Sequence, residues 1–275
     1  MSKTRILYVS QAIKPFLPDS DLSRTARHLP QAIHEKGREI RVFMPRFGVI
    51  NERRHQLHEV IRLSGMHLNI NDTDHPLIIK VASIPTAHIQ VYFIDNEEYF
   101  KKKVTWLDDK DKLVASNDER SIFFARGVLE TVRKLSWAPD IIHCHGWMSS
   151  LVPLYMKTLF SGDAHFENTK IITSLYNEQF EGTLNGAMSN KIAFDGIDPK
   201  MITSLKLPTT DALNSIAIEH SDALIVGSEE LGAGTQAAID NADLPTMPFT
   251  GEFNSAEIAN FYDAILEGKG MAVEG

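Results

Sequence analysis

Three stretches of the chain hold side chains that could do chemistry. The first, "PFLPDSDLSRTARHLP", spans Pro15 to Pro30 and follows an apolar run, Ile6-Leu7-Tyr8-Val9-Ser10. A strand passing into a helix is where α/β proteins meet ligands, and phosphate-binding versions place glycines there. This junction has none; Pro18, Asp19, Ser20 and Asp21 stand instead. Ser20 and Asp21 are good helix caps, but the two carboxylates of the junction repel a phosphate. The second stretch, "HCHGWMSSLVPLY", sets His143 and His145 on one face of a strand, with Trp147 just beyond. Two histidines so spaced could ligate a metal; no third ligand has a matching pattern, so no metal is expected. The third, "TSLYNEQFEGTL", presents Tyr176, Asn177, Phe180 and Gly182. Tyrosine offers a flat face and a hydroxyl but does not titrate near neutrality. Trp147, Tyr176 and Phe180 fit either ligand stacking or core packing, and the histidines fit either ligand contacts or satisfied strand ends.

The elements that must position these residues alternate. A strand over 5–10 leads to a helix from about Asp21 with Leu22, Ala26, Leu29 and Ile33 at helical spacing, ended by Gly37. A second strand, Ile40 to Met44, stops at Pro45. Residues 66–100 are β-rich, "HPLIIKVASI" and "HIQVYFID" flanking Pro85-Thr86, and read as a hairpin or meander inserted on the sheet. Lys101 to Ser116 is charged and reads as an exposed loop, before a strong amphipathic helix, "NDERSIFFARGVLETVRKL". Strands "IIHCH", "KIITSL" and "ALIV" follow, with helices between them and a helix start expected at Ser228-Glu229-Glu230. Residues 255–267 read as a closing helix, capped by Asn254 or Ser255 and ended by Gly268. That reading expects a finished chain whose last helix covers part of the surface where a second domain would dock. The pattern is α/β: one Rossmann-like, doubly wound domain over 1–275, with a mostly parallel sheet.

Bulk properties narrow the function. The chain has 275 residues, 43% hydrophobic, a formal net charge of -8 and a pI near 5.8. That charge argues against nucleic-acid binding, which wants a basic face. The single cysteine, Cys144, precludes an intrachain disulfide and fits a reducing compartment. Neither a signal-peptide pattern nor a run of about 18 apolar residues is present, so a cytoplasmic protein away from membranes is expected.

Five segments in order resemble the N-terminal, starch-synthase-catalytic domain of bacterial glycogen synthases and plant starch synthases. They are "LPQAIHEKGREIRVFMPRFGVI", "VYFIDNEEYF", "NDERSIFFARGVLETVRKLSWAPDIIHCHGW", "LVPLYMKT" and "HSDALIVGSEEL". The resemblance implies half of a GT-B fold. Its enzymes are retaining glucosyltransferases that move glucose from ADP-glucose to an α-1,4-glucan, and their C-terminal domain holds most of the donor and the essential Arg/Lys pair. No cofactor is implied.

The departures fall at the site. Where the family carries Lys-Thr-Gly-Gly in its first loop, this chain has Pro18, Asp19, Ser20 and Asp21, and its later aspartate aligns with Arg24. The His-x-His-Asp-Trp pattern keeps His143, His145 and Trp147 but has Gly146 for the aspartate. Tyr176 stands at the family's active-site histidine, while Asn177 and Gly182 match. The resemblance therefore implies sugar contacts from His143, His145, Trp147, Tyr176, Asn177 and Gly182, a degenerate donor loop, and no confident catalytic residue. Two expectations follow: a non-catalytic, acceptor-side domain that binds an α-glucan, a maltooligosaccharide or a protein, or a glucosyltransferase subunit completed by a separate C-terminal-domain protein.

Overall fold

Leu7 and Val9 alternate with Ile6, Tyr8 and Ser10 along the first strand, and all five are buried, as a central parallel strand covered on both faces requires. The computed structural model describes residues 3–84, 87, 89–251 and 254–268. In chain order the elements are β1 (Arg5–Ser10), α1 (Asp21–Glu35), β2 (Glu39–Pro45), β3 (His58–Glu59), β4 (Met66–Ile70), β5 (Thr73–Ile84), β6 (Ile89–Asp95) and α2 (Glu97–Phe100). They continue as α3 (Asn117–Lys134), β7 (Ile141–His145), α4 (Leu151–Lys157), β8 (Lys170–Leu175), α5 (Met188–Phe194), α6 (Thr210–Glu219), β9 (Ala223–Val226), α7 (Ala233–Asn241), β10 (Thr246–Met247) and α8 (Ser255–Leu266).

The strands form one sheet ordered β10-β9-β8-β7-β1-β2-β6-β5-β3, with β4 paired to β5. From β10 to β6 every pairing is parallel; β5 runs antiparallel to β6, β3 and β4. The expected α/β fold with a mostly parallel sheet is present. Helices α1 and α8 pack on each other, and α4 packs on both α3 and α6. The ends of β1, β7, β8 and β9 meet at one edge, where a doubly wound sheet places its ligands.

Several local expectations need correction. Pro45 belongs to β2 and pairs with Ile94, because a parallel ladder spares the missing N–H at a strand end. The last strand of the β-rich segment is not an add-on: β6 pairs directly with β2, and 97–100 is helical. Pro85 and Thr86 lie outside the described residues. The segment before α3 is less exposed than its charge suggests. Val104 is buried, and the buried Arg120 guanidinium donates to the Thr105 carbonyl at 2.7 Å. Ser228-Glu229-Glu230 does not start a helix; α7 begins at Ala233. Helix α5 and a kinked 3-10 stretch over Pro199–Lys206 lie where the sequence reading placed no element.

Candidate functional site

Helix α1 starts at the end of the β1 connection because Ser20 closes a capping box with Ser23: the Ser23 N–H donates to Ser20 Oγ at 3.2 Å, and the Ser20 N–H to Ser23 Oγ at 2.9 Å. Asp21 occupies the first turn. The two aspartates of this junction are not bare charges. Asp19 is bonded to Lys14 at 3.2 Å and to Arg24 at 3.0 Å, and Arg24 also binds Asp21. The Lys14 hydrogen bond, followed by Arg24, holds the Asp19 carboxyl below its ordinary range. The cation on this turn, Arg24, is thus engaged by carboxylates.

Gln11 plugs the end of β1. Its side-chain oxygen accepts from the Met148 N–H at 3.1 Å, and its amide nitrogen donates to Glu178 at 3.0 Å. This explains Gly146, which has φ +83 and no room for a Cβ: one would lie 2.5 Å from Gln11 Cδ. Burial raises the Glu178 carboxyl above its usual range, an effect opposed by hydrogen bonds from Ser20 and Gln11. Sequence reasoning missed both Gln11 and Glu178, since neither belongs to a spacing pattern.

The two histidines of β7 share a face, with ring centroids 4.0 Å apart, and both are fully buried. His143 is hydrogen-bonded through Nδ1 to the Tyr262 hydroxyl at 2.6 Å and through Nε2 to the Ser174 hydroxyl at 2.7 Å. Tyr262 comes from α8 and also meets the Tyr8 hydroxyl at 3.2 Å. His145 Nδ1 is hydrogen-bonded to the Tyr176 hydroxyl at 2.8 Å, and its Nε2 is buried without a protein partner. Burial pushes the His145 imidazole down to about 3; burial and then the His145 charge push His143 well below its ordinary value. Both rings are neutral near pH 7. Among the described residues no cluster of three or more His, Cys, Asp or Glu side chains could hold a metal.

Tyr176 packs close against Gly227, where a Cβ would lie 2.5 Å from its ring. Trp147 and Phe180 pack edge to face at 4.9 Å, and each is buried. Of the sugar-contact candidates, Asn177 and Gly182 are exposed; His143, His145, Trp147 and Tyr176 face inward. The Asn177 N–H donates to Ser228 Oγ, and Gly182 turns with φ +84. Pro18 and Asp19 are exposed and Ser20 half-buried.

Two concavities open at this edge. An open cleft of about 530 Å³ is lined by Asp19, Asp21, Arg24, Glu178, Glu229 and Glu230 among others, so its charge is strongly acidic. A narrower cavity of about 380 Å³ lies between α1, the ends of β8 and β9, β10 and the first turn of α8. Among the described residues no helix is long and apolar enough to cross a membrane.

A profile for the starch synthase catalytic domain matches residues 5–233. The glycogen synthase of Chlorobium limicola is 35% identical over 246 residues, covering 84% of this chain and 49% of that protein. That of Chlorobaculum tepidum is 35% identical over 231 residues, covering 82% and 46%. The chain spans about half the length of the curated relatives it matches. In fold it is similar to the catalytic domain of starch synthase IV from Arabidopsis thaliana, a structure bound to ADP and acarbose. The TM-score is 0.73 over 90% of this chain and 51% of that one, at 16% identity.

Proposed function

The chain belongs to the starch synthase catalytic domain family, and we propose that it is an acceptor-side domain of the glycogen synthase type that binds α-glucan and transfers little or no glucose by itself. The observation that carries this is the first βα junction. Retaining transfer from a nucleotide sugar needs positive charge at the departing diphosphate. Here the resemblance places a lysine at Pro18, and the nearby Arg24 is held by Asp19 and Asp21. Removing one such contact costs about 3 kcal/mol, or two to three powers of ten in rate. The acidic cleft beside the junction acts in the same direction. With Tyr176 buried at the family's histidine position, the site reads as that of a pseudoenzyme in glycogen metabolism, in the cytoplasm.

Incorporation of labelled glucose from ADP-glucose into glycogen by the purified chain tests the catalytic half. The expected result is none above the protein-free blank, and robust turnover would sink the proposal. Calorimetry with maltoheptaose tests the binding half: a flat thermogram at millimolar ligand removes it.

A second reading, a glucosyltransferase subunit completed by a separate C-terminal-domain polypeptide, is equally compatible with the family match over residues 5–233. Mixing it with the C-terminal half of the Chlorobium limicola enzyme distinguishes the two. Transfer by the mixture, with neither part active alone, supports the second reading.

A further inference from the structure

The cavity of about 380 Å³ falls within the range of small-molecule pockets, roughly 300–1,000 Å³. Its aliphatic surface comes from Leu29 of α1, Ile225 and Val226 of β9, Met247 of β10 and Ile258 of α8, and His28, Phe249 and Asn254 line it as well. Oxygen atoms come from Thr25, Ser174 and Tyr176, and the Ser174 and Tyr176 hydroxyls are hydrogen-bonded to the two buried histidines. At the rim stand the exposed carboxylates Asp21 and Glu257. Arg24, also at the rim, is bound to Asp19 and Asp21.

Each part selects against a different ligand. An anionic head group meets two carboxylates and a guanidinium already engaged. An extended glucan would set its hydroxyls against aliphatic side chains that return no hydrogen bond, which is costly when buried. An apolar body gains by leaving water for these walls, and one or two hydroxyl or carbonyl groups on it find partners in Thr25, Ser174 and Tyr176. We propose that the cavity between α1, β9 and α8 is a binding site for an uncharged, apolar-bodied small molecule carrying one or two hydroxyl or carbonyl groups. The site does not depend on the glucan reading: it stands or falls on the cavity walls, whatever the chain does with sugars. Because Ile258 and Glu257 belong to α8, occupancy also ties α8 to α1 and β9.

The test uses the whole chain and 2-naphthol as probe, with 2-naphthoate and maltoheptaose as contrasts. Fluorescence titration at pH 7 is expected to give saturable 2-naphthol binding with a dissociation constant below 1 mM. The methyl NMR signals of Ile225, Val226, Met247 and Ile258 should shift. Naphthoate should bind at least tenfold more weakly, and maltoheptaose should shift none of these methyls. Filling the cavity from either wall, with Val226→Phe on β9 or Ile258→Phe on α8, should weaken 2-naphthol at least tenfold. Circular dichroism selects whichever variant is folded. The wild-type methyl shifts need no variant. Absence of saturable binding, methyl shifts that map elsewhere, equal affinity for naphthoate, or a folded filled variant with unchanged affinity each overturns the proposal.

Discussion

Replacing Tyr262 with phenylalanine removes one buried oxygen that joins α8 to β7 and β1. That oxygen lies 2.6 Å from His143 Nδ1 and 3.2 Å from the Tyr8 hydroxyl. All three residues are at most 1% exposed, so water does not replace the lost partner. A buried polar atom left without a partner costs about 1–3 kcal/mol. The short bond to His143 belongs at the upper end and the long one to Tyr8 at the lower, so Tyr262→Phe should cost about 2–4 kcal/mol in all. Urea unfolding reads this as a lower midpoint with an unchanged slope. For a chain of this size the melting temperature should fall by roughly 3–7 °C. Tyr8→Phe keeps the Tyr262–His143 bond and should cost about 1 kcal/mol. The double variant should lose less than the sum, because both changes break the same bond. Hydrogen exchange should quicken in α8 before the sheet. A folded Tyr262→Phe protein that loses less than about 0.5 kcal/mol would refute the reasoning, because the network would then carry none of the hold on α8.

Three further predictions concern the interior. His143 and His145 are held neutral in the fold and regain ordinary values near 6.5 when unfolded. Depressed folded values mean that the unfolded chain binds more protons. Stability should therefore be flat above that pH and fall below it by up to about 1.4 kcal/mol per pH unit for each histidine. Asp118 and Glu178, raised by burial, act in the opposite sense closer to the carboxylate range. Urea midpoints that do not move between pH 7.5 and 5.5 would contradict this. Gly146→Ala combines a left-handed backbone with a Cβ 2.5 Å from Gln11 Cδ and should cost about 2–4 kcal/mol. Adding Gln11→Ala should restore the steric part of that loss and leave the backbone part, as thermal melts of the two variants can show. Lys191→Ala strips the partner at 2.5 Å from Asp118, a fully buried carboxylate whose other oxygen has no protein partner, and should cost about 3–5 kcal/mol. The paired change Lys191→Met with Asp118→Asn should recover most of it in denaturant unfolding.

How much of this was legible beforehand depended on whether the cause was local. Strands β1, β7, β8 and β9 and helices α1, α3 and α8 announce themselves through apolar period and caps, and the fold followed from them. The start of α7 did not, because its cap comes from another helix. The Asp211 carboxylate accepts from both the Thr235 N–H and its hydroxyl, while Ser228, the apparent cap, instead accepts from the Asn177 N–H. The segment over 101–116 looked solvated because its charges are local, whereas its anchors, Asn117 and Arg120, lie in α3. At the site, residue types indicated which positions matter but not their state of charge. The pairing of Asp19 and Asp21 with Lys14 and Arg24 turns two expected bare carboxylates into members of an ion-pair cluster.

The contact between Tyr176 and Gly227 couples two positions. The resemblance puts histidine at position 176. A histidine there would give up the hydroxyl that His145 holds at 2.8 Å and leave empty space over Gly227. Filling that space with a side chain at 227 is incompatible with tyrosine at 176. Each position thus fixes what the other tolerates. The pair works as an interlock: a change at either position alone, Tyr176→His or Gly227→Ala, leaves a packing defect that only a matching change at the other can relieve.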